Sequence, residues 1–297
     1  GINGRGLSRK HVTESVHASL KRLQLDYVDL YFCHRFDPDT PVEEVVWTMT
    51  NLVQQGKVLY WGTSEWTAAQ IMQAIAVARQ YNLIPPSMEQ PQYNLLHRKR
   101  VEDELSPVCK EFGIGLTTWS PLYYGILSGK YNAGVPEGSR ASLSDYGWIR
   151  DRITPERLAI VRQLTTLAQE LGITTAQLAI AWLLRRKEVS SVITGATRAE
   201  QLDENLAAAE AVDKLTDEVL EKIGDGAFFC VYKARDKVLN RLVALKTLNK
   251  QYQENREFAA SVVEGYRAAS VLAHKSIARV YDAESAEEHC FVVSEYV

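Results

Sequence analysis

Tyr27-Val28-Asp29-Leu30-Tyr31-Phe32-Cys33 runs directly into His34-Arg35. The first seven residues are rich in aromatic and branched side chains and read as a buried strand. The polar pair at its C-terminal end sets a pattern that recurs along the chain. Upstream, Val12, Val16, Leu20 and Leu23 fall at spacings of four and three with basic residues between them, and Ser8 stands before them as an N-cap. That spacing predicts an amphipathic helix over 8–24. Downstream, Thr40-Pro41-Val42-Glu43-Glu44 is a helix start with proline in its first turn, and Val45, Met49, Leu52 and Val53 supply an apolar face. A second strand follows at 58–63.

The alternation continues: helix 67–81, strand 87–92, helix 98–112, strand 115–119, an irregular glycine-rich segment at 124–147, helices 155–171 and 175–186, strand 190–194 and helix 199–210. Strands separated by helices pair in parallel through right-handed crossovers. Five such strands fit either an open doubly wound sheet or part of an eight-stranded barrel, and periodicity does not separate the two. The strand ends do. They carry His34-Arg35, Ser64-Glu65-Trp66, Gln90-Pro91-Gln92, Trp119-Ser120-Pro121-Leu122 and Gly195-Ala196-Thr197-Arg198. Polar, aromatic and small groups gathered after the C-terminal ends of strands mark the functional face of a barrel.

Past residue 212 the pattern changes. Ile223-Gly224-Asp225-Gly226-Ala227-Phe228-Phe229-Cys230-Val231-Tyr232-Lys233-Ala234 reads as strand, glycine turn and strand, and Val243-Ala244-Leu245-Lys246 as another strand. A helix over 254–272 and strands at 278–281 and 291–297 complete an antiparallel α+β piece. The joint at 214–222 reads as helix and holds no Gly, Ser or Pro linker. Two domains are therefore expected, 1–222 and 223–297.

Composition bounds the function loosely. The 297 residues are 46% hydrophobic and 24% charged with a formal net charge of -3. Interspersed charges give no field for nucleic acid or an anionic membrane, and no apolar run reaches the roughly 18 residues of a span. Cys33, Cys109, Cys230 and Cys290 lie far apart and form no CxxC pair. Neither a disulfide framework nor a metal-ligating cluster is indicated, and a reducing cytoplasm is the simplest location. The N-terminal GINGRGLSRKHVTESV has no apolar core of a signal peptide and no Met, so a fragment of a longer protein is expected.

Several long strings, in order, carry a resemblance: LSRKHVTESVHASLKRLQLDYVDLYFCHR, YWGTSEW, ARQYNLIPPSMEQPQYNLL, TWSPLYYGILSGKYN, PEGSRASL and ITGATRAEQLDENL. Over residues 5–212 the chain resembles the aldo-keto reductases, and within them the potassium-channel β-subunit type. The resemblance implies a (β/α)8 barrel, of which five strands lie here, with NADPH extended across its C-terminal face. It implies reduction of a small aldehyde or ketone by hydride transfer, and a channel or homo-oligomer partner. His34 matches the active-site histidine. Channel β-subunits often carry Asn there, which favours a working reductase. The tetrad's Asp, Tyr and Lys find no match, so an inactive, truncated form is expected.

The cofactor face follows from the same resemblance. Ser64, Glu65 and Gln90 match positions around the nicotinamide carboxamide, whose paired donors and acceptors suit Ser and Gln. Glu65 stands where channel β-subunits have Arg. Trp119 matches the aromatic that stacks on the nicotinamide. Ser120, Pro121, Leu122, Lys130 and Arg140 match the loop over the pyrophosphate, where cations suit phosphate oxygens. Gly195, Thr197, Arg198, Gln201, Glu204 and Asn205 match the adenosine 2′-phosphate and adenine pocket, which favours NADP over NAD. On spacing alone, Thr197 is a helix N-cap and the last three form a solvated face.

Residues 223–297 resemble the N-lobe of a protein kinase. Gly224 and Gly226 fit the first two glycines of the nucleotide loop, Phe229 stands in place of the third, Val231 fits the residue over adenine and Lys246 in VALK fits the phosphate-binding lysine. ATP is the implied ligand. Glu264 is the nearest match for the helix carboxylate that pairs with this lysine, although spacing to LAHKSI points to Gly265, and an exposed helix Glu fits the pattern equally. No HRD or DFG segment is present.

Overall fold

The computed structural model describes residues 4–224, 229–237, 239–248, 256–271, 278–285 and 290–296. The chain divides into two compact units, Gly1–Lys214 and Leu215–Val297. The division falls eight residues before the expected boundary at 222.

In the first unit α1 (Arg9–Leu23), β1 (Val28–Cys33), α2 (Val42–Gln54), β2 (Val58–Thr63), α3 (Ala68–Gln80), β3 (Met88–Glu89), α4 (Ser106–Phe112) and β4 (Gly115–Thr118) alternate as the sequence predicts. After β4 come a 3₁₀ segment at Tyr123–Ser128, then α5 (Gly147–Arg150), α6 (Pro155–Glu170), α7 (Thr175–Leu184), β5 (Val189–Val192) and α8 (Ala199–Leu206). Local chemistry fixes the starts. Ser8 caps α1, while Thr67 with Gln70 and Thr174 with Gln177 form reciprocal capping boxes on α3 and α7. α7 is buried almost all round, as a core helix should be. No single helix among the described residues is long and apolar enough to cross a membrane.

The strands form one parallel sheet in the order β1-β2-β3-β4-β5. Cys33 pairs with Thr63, Thr63 with Glu89 and Glu89 with Leu116. These four share a face, and all are buried. β2 approaches β3 so closely that a Cβ on Gly62 would lie 2.2 Å from the Met88 carbonyl oxygen, so only glycine fits there.

Two elements differ from expectation. The strand expected over 87–92 is only two residues long, because Pro91 has no N–H to donate. Beyond it the pairing survives as single contacts, Gln90 N–H to the Thr63 carbonyl at 2.8 Å and a bridge between Gln92 and Trp119. The helix expected over 98–112 begins as a π-helix, Arg100–Leu105. Pro107 follows and leaves the Asp103 carbonyl without its helical donor, and Ser106 N–H bonds back to Val101 instead.

The second unit contains α9 (Asp217–Gly224), β6 (Phe229–Asp236), β7 (Arg241–Leu248), α10 (Arg256–Ser270), β8 (Val280–Ser285) and β9 (Cys290–Glu295). Its strands make an antiparallel sheet ordered β6-β7-β9-β8. Leu248, Ala259, Val263, Ala283, Cys290 and Val292 form its core. Ile223-Gly224 ends a helix rather than opening a strand, since Glu218 to Ile223 continue the helical run begun at Asp217. Gly226 lies outside the described residues.

Among the described residues β1 and β5 are the edges of the parallel sheet, and the face opposite the Cys33–Leu116 row exposes Leu30 by 46% and Tyr60 by 59%. Open parallel edges beside apolar surface drive association. The chain is expected to show a mass by light scattering that rises with concentration, and Leu30→Lys with Tyr60→Lys should lower it towards the monomer. A concentration-independent monomer for the unsubstituted chain would contradict this.

Candidate functional site

The parallel register brings the residues after β1, β2, β3 and β4 to one end of the sheet. Ser64 follows β2 and is buried, with its N–H on the Cys33 carbonyl at 3.0 Å and its hydroxyl donating to the Gln90 carbonyl at 2.9 Å. His34 is exposed at the end of β1, and its neighbour Arg35 reaches the Ser64 hydroxyl at 3.5 Å. Trp119 and Ser120 follow β4 and are half-buried. His34, Ser64, Gln90, Trp119 and Ser120 thus stand on neighbouring strand ends.

Glu65 joins three of those ends. Its Oε1 accepts from the Gln92 N–H at 2.6 Å and from the Trp119 indole Nε1–H at 2.9 Å. Its Oε2 pairs with the Arg100 guanidinium, whose other nitrogen donates to the Trp66 carbonyl at 2.6 Å. Glu65 and Ser120 both hold left-handed backbone, at φ 60° and 56°. Such a conformation costs about 1–2 kcal/mol for a residue with a side chain and persists only where its surroundings enforce it. Here Asn94 enforces it on one side, donating through Nδ2 to the Ser120 carbonyl at 2.9 Å.

Beyond Ser120 the chain turns through Tyr123 and Tyr124, also left-handed, and Gly125 at φ 92°. The turn is clamped by stacking: Tyr124 meets Trp148 edge-on at 4.8 Å, and the Arg152 guanidinium lies 4.8 Å from the Trp148 ring. Pro121 is buried and Leu122 half-buried beneath it. Lys130 and Arg140 project as exposed cations, lying 5.1 Å from Tyr131 and 5.8 Å from Tyr146 ring centres. After β5, Gly195, Thr197 and Arg198 are exposed. Thr197 donates through N–H and hydroxyl to the Gln201 side-chain oxygen at 2.9 and 3.2 Å. Arg198, not Thr197, occupies the cap position of α8, with Glu204 half-buried and Asn205 buried further along.

A planar polar ligand suits this end of the sheet. The Ser120 hydroxyl and the Gln92 amide nitrogen are buried without a hydrogen-bond partner among the described residues, and such groups are costly unless something else satisfies them. Exposed cations lie on the loops on either side. The donor set fits a nucleotide with an amide-bearing ring and phosphates.

Sequence reasoning missed Arg100, Asn94 and Glu89. Glu89 is fully buried on β3; it accepts a hydrogen bond from the Thr63 hydroxyl, and Arg100 lies 3.9 Å from its Oε1, which has no hydrogen-bond partner among the described residues. Burial raises its carboxyl pKa to about 7, against the opposing pull of Thr63 and Arg100. A buried carboxylate requires a cation, and two glutamates at neighbouring strand ends signal that a cation is needed without saying which one supplies it. Burial likewise pushes the thiols of Cys33 and Cys109 up to about 12.

In the second unit, Val231 on β6 pairs with Lys246 on β7. The Lys246 ammonium lies 5.5 Å from the Tyr266 ring centre, and among the described residues it forms no ion pair with Glu264. Of the two alternatives for Glu264, the exposed helix residue is the one observed. Val263 faces the core at 3% exposure, and one residue on, about 100° around α10, Glu264 faces solvent.

The aldo/keto reductase family model matches residues 1–225, and the chain belongs to this family. Within it, the chain is 50% identical over 226 residues to a protein of Schizosaccharomyces pombe described as a voltage-gated potassium channel subunit beta. That match covers 75% of this chain and 66% of the relative, just under two thirds of its length. A protein kinase domain model matches residues 218–297.

The raised Glu89 pKa has a stability consequence. Between an unfolded value near 4.5 and a folded value near 7 the folded state holds the extra proton, so stability falls as pH rises through that window. Glu89→Gln should match the parent at pH 5 and exceed it at pH 8 by up to about 3 kcal/mol in urea unfolding. A pH-independent difference would contradict the assignment.

Proposed function

We propose that the first unit binds NADPH across the C-terminal ends of its strands and forms the cofactor side of a carbonyl-reducing oxidoreductase. The observation that carries this reading is the convergence of Ser64, Gln90, Trp119 and Ser120 on adjoining strand ends, with the Ser120 hydroxyl buried and without a partner among the described residues. Ser64 and Gln90 would hold the carboxamide and Trp119 the ring face. Lys130 and Arg140 would neutralise the pyrophosphate, and Thr197 and Arg198 the 2′-phosphate, with Gln201, Glu204 and Asn205 towards the adenine. NADPH supplies the hydride when bound. His34 would orient the oxygen of a small aldehyde or ketone, and the reduction itself is proposed for the protein that supplies an Asp, Tyr and Lys to complete the tetrad.

The likeness to a relative described as a channel subunit supports a second reading, in which cofactor binding serves redox sensing on a potassium-channel partner. For the second unit, the antiparallel sheet with Lys246 opposite Val231 supports a kinase-like nucleotide site.

NADPH titrated into the full chain should enhance nicotinamide emission. Arg198→Ala should weaken NADPH by about tenfold, the worth of a lost charge-assisted contact, and leave NADH unchanged. No saturable binding, or equal loss for both nucleotides, would defeat the reading. A parallel titration with MgATP should show binding that Lys246→Met abolishes, and binding that survives the substitution would remove Lys246 from any phosphate site.

A further inference from the structure

Glu65 stands where the resemblance places a nicotinamide contact, yet its two carboxylate oxygens are occupied by three donors of the protein itself. A carboxylate so engaged has little capacity left for a ligand amide. Its partners show what it does instead. Trp119 is half-buried and has two side-chain torsions to fix, and packing alone leaves the plane of an indole at a site mouth loosely set. The hydrogen bond from Nε1–H to Glu65 Oε1 fixes that plane by its edge. The acceptor is itself fixed: the Gln92 N–H holds the same oxygen, and Arg100, tied to the Trp66 carbonyl, holds the other. Left-handed backbone at Glu65 and at Ser120, next to the indole, marks both ends of this link as held against local preference.

We propose that Glu65, held by Arg100, is a positioning residue that locks the Trp119 indole in the plane on which a nicotinamide ring stacks. The proposal rests on the NADPH reading above. It differs from a role in stability alone, because the quantity it sets is the order of one ring and, through it, affinity for a planar cationic or dihydropyridine ring.

The full chain labelled with 5-fluorotryptophan tests this, with NADPH as the probe ligand. Of the six tryptophans, Trp119 is assigned by the ¹⁹F line that disappears in Trp119→Phe. In Glu65→Ala the Trp119 line should move towards the solvent-averaged position while the other five stay dispersed, and NADPH should bind about tenfold more weakly. Glu65→Gln keeps an acceptor for the indole and should restore most of both signals. If Glu65→Ala loses the dispersion of the other lines, Arg100→Gln is read in its place, and the same movement of the Trp119 line is required. An unmoved Trp119 line, or a moved line with unchanged NADPH affinity, overturns the proposal. A moved line in a chain that does not bind NADPH at all sinks the cofactor reading, and the proposed stacking role with it, while leaving the anchoring of Trp119 intact.

Discussion

One shared guanidinium holds the functional end of the sheet together. Arg100 lies between Glu65, which it pairs with, and Glu89, which it approaches at 3.9 Å. Both partners of the Glu65 pair are about 20% exposed, so desolvation is substantial, and the further hydrogen bonds to both groups offset it. Those bonds come from separate crossovers: the Trp66 carbonyl after β2, the Gln92 N–H after β3 and the Trp119 indole after β4. Removing the guanidinium would leave the Glu65 and Glu89 carboxyl groups side by side in a half-dry site, so this contact constrains the strand ends.

Parallel topology explains why these groups meet at all. Each crossover returns the chain to the same end, so residues that follow successive strands gather there irrespective of sequence separation. Glu65 and Trp119 are 54 positions apart and share a hydrogen bond of 2.9 Å. The same topology buries the Cys33–Thr63–Glu89–Leu116 row, which places an ionisable group inside the layer and raises its pKa to about 7.

Most of the alternation was legible because it rests on periodicity and caps. Val58–Thr63 was read to the residue, and Ser8 caps α1 where the apolar spacing begins. The departures have local causes: Pro91 ends the ladder of β3, Pro107 widens the helix before α4, and the helical run from Asp217 carries through Gly224 where a strand was expected. In the site, strand-end residues could be placed by pattern, but their partners could not. Arg100 lies 35 residues from Glu65 and Asn94 lies 26 from Ser120, and no spacing rule links residues across a crossover. At Glu264 the pattern allowed either a paired carboxylate or an exposed helix residue, and the exposed alternative is the one observed.

The central claim is that the strand ends form one nucleotide-binding surface, and hydrogen–deuterium exchange with and without NADPH reads it most directly. Slowed exchange should appear together in peptides covering 63–66, 90–94, 119–125 and 195–205, leaving the second unit's β6 to β9 unchanged. Exchange that NADPH leaves untouched at 63–66 and 119–125 would contradict the account.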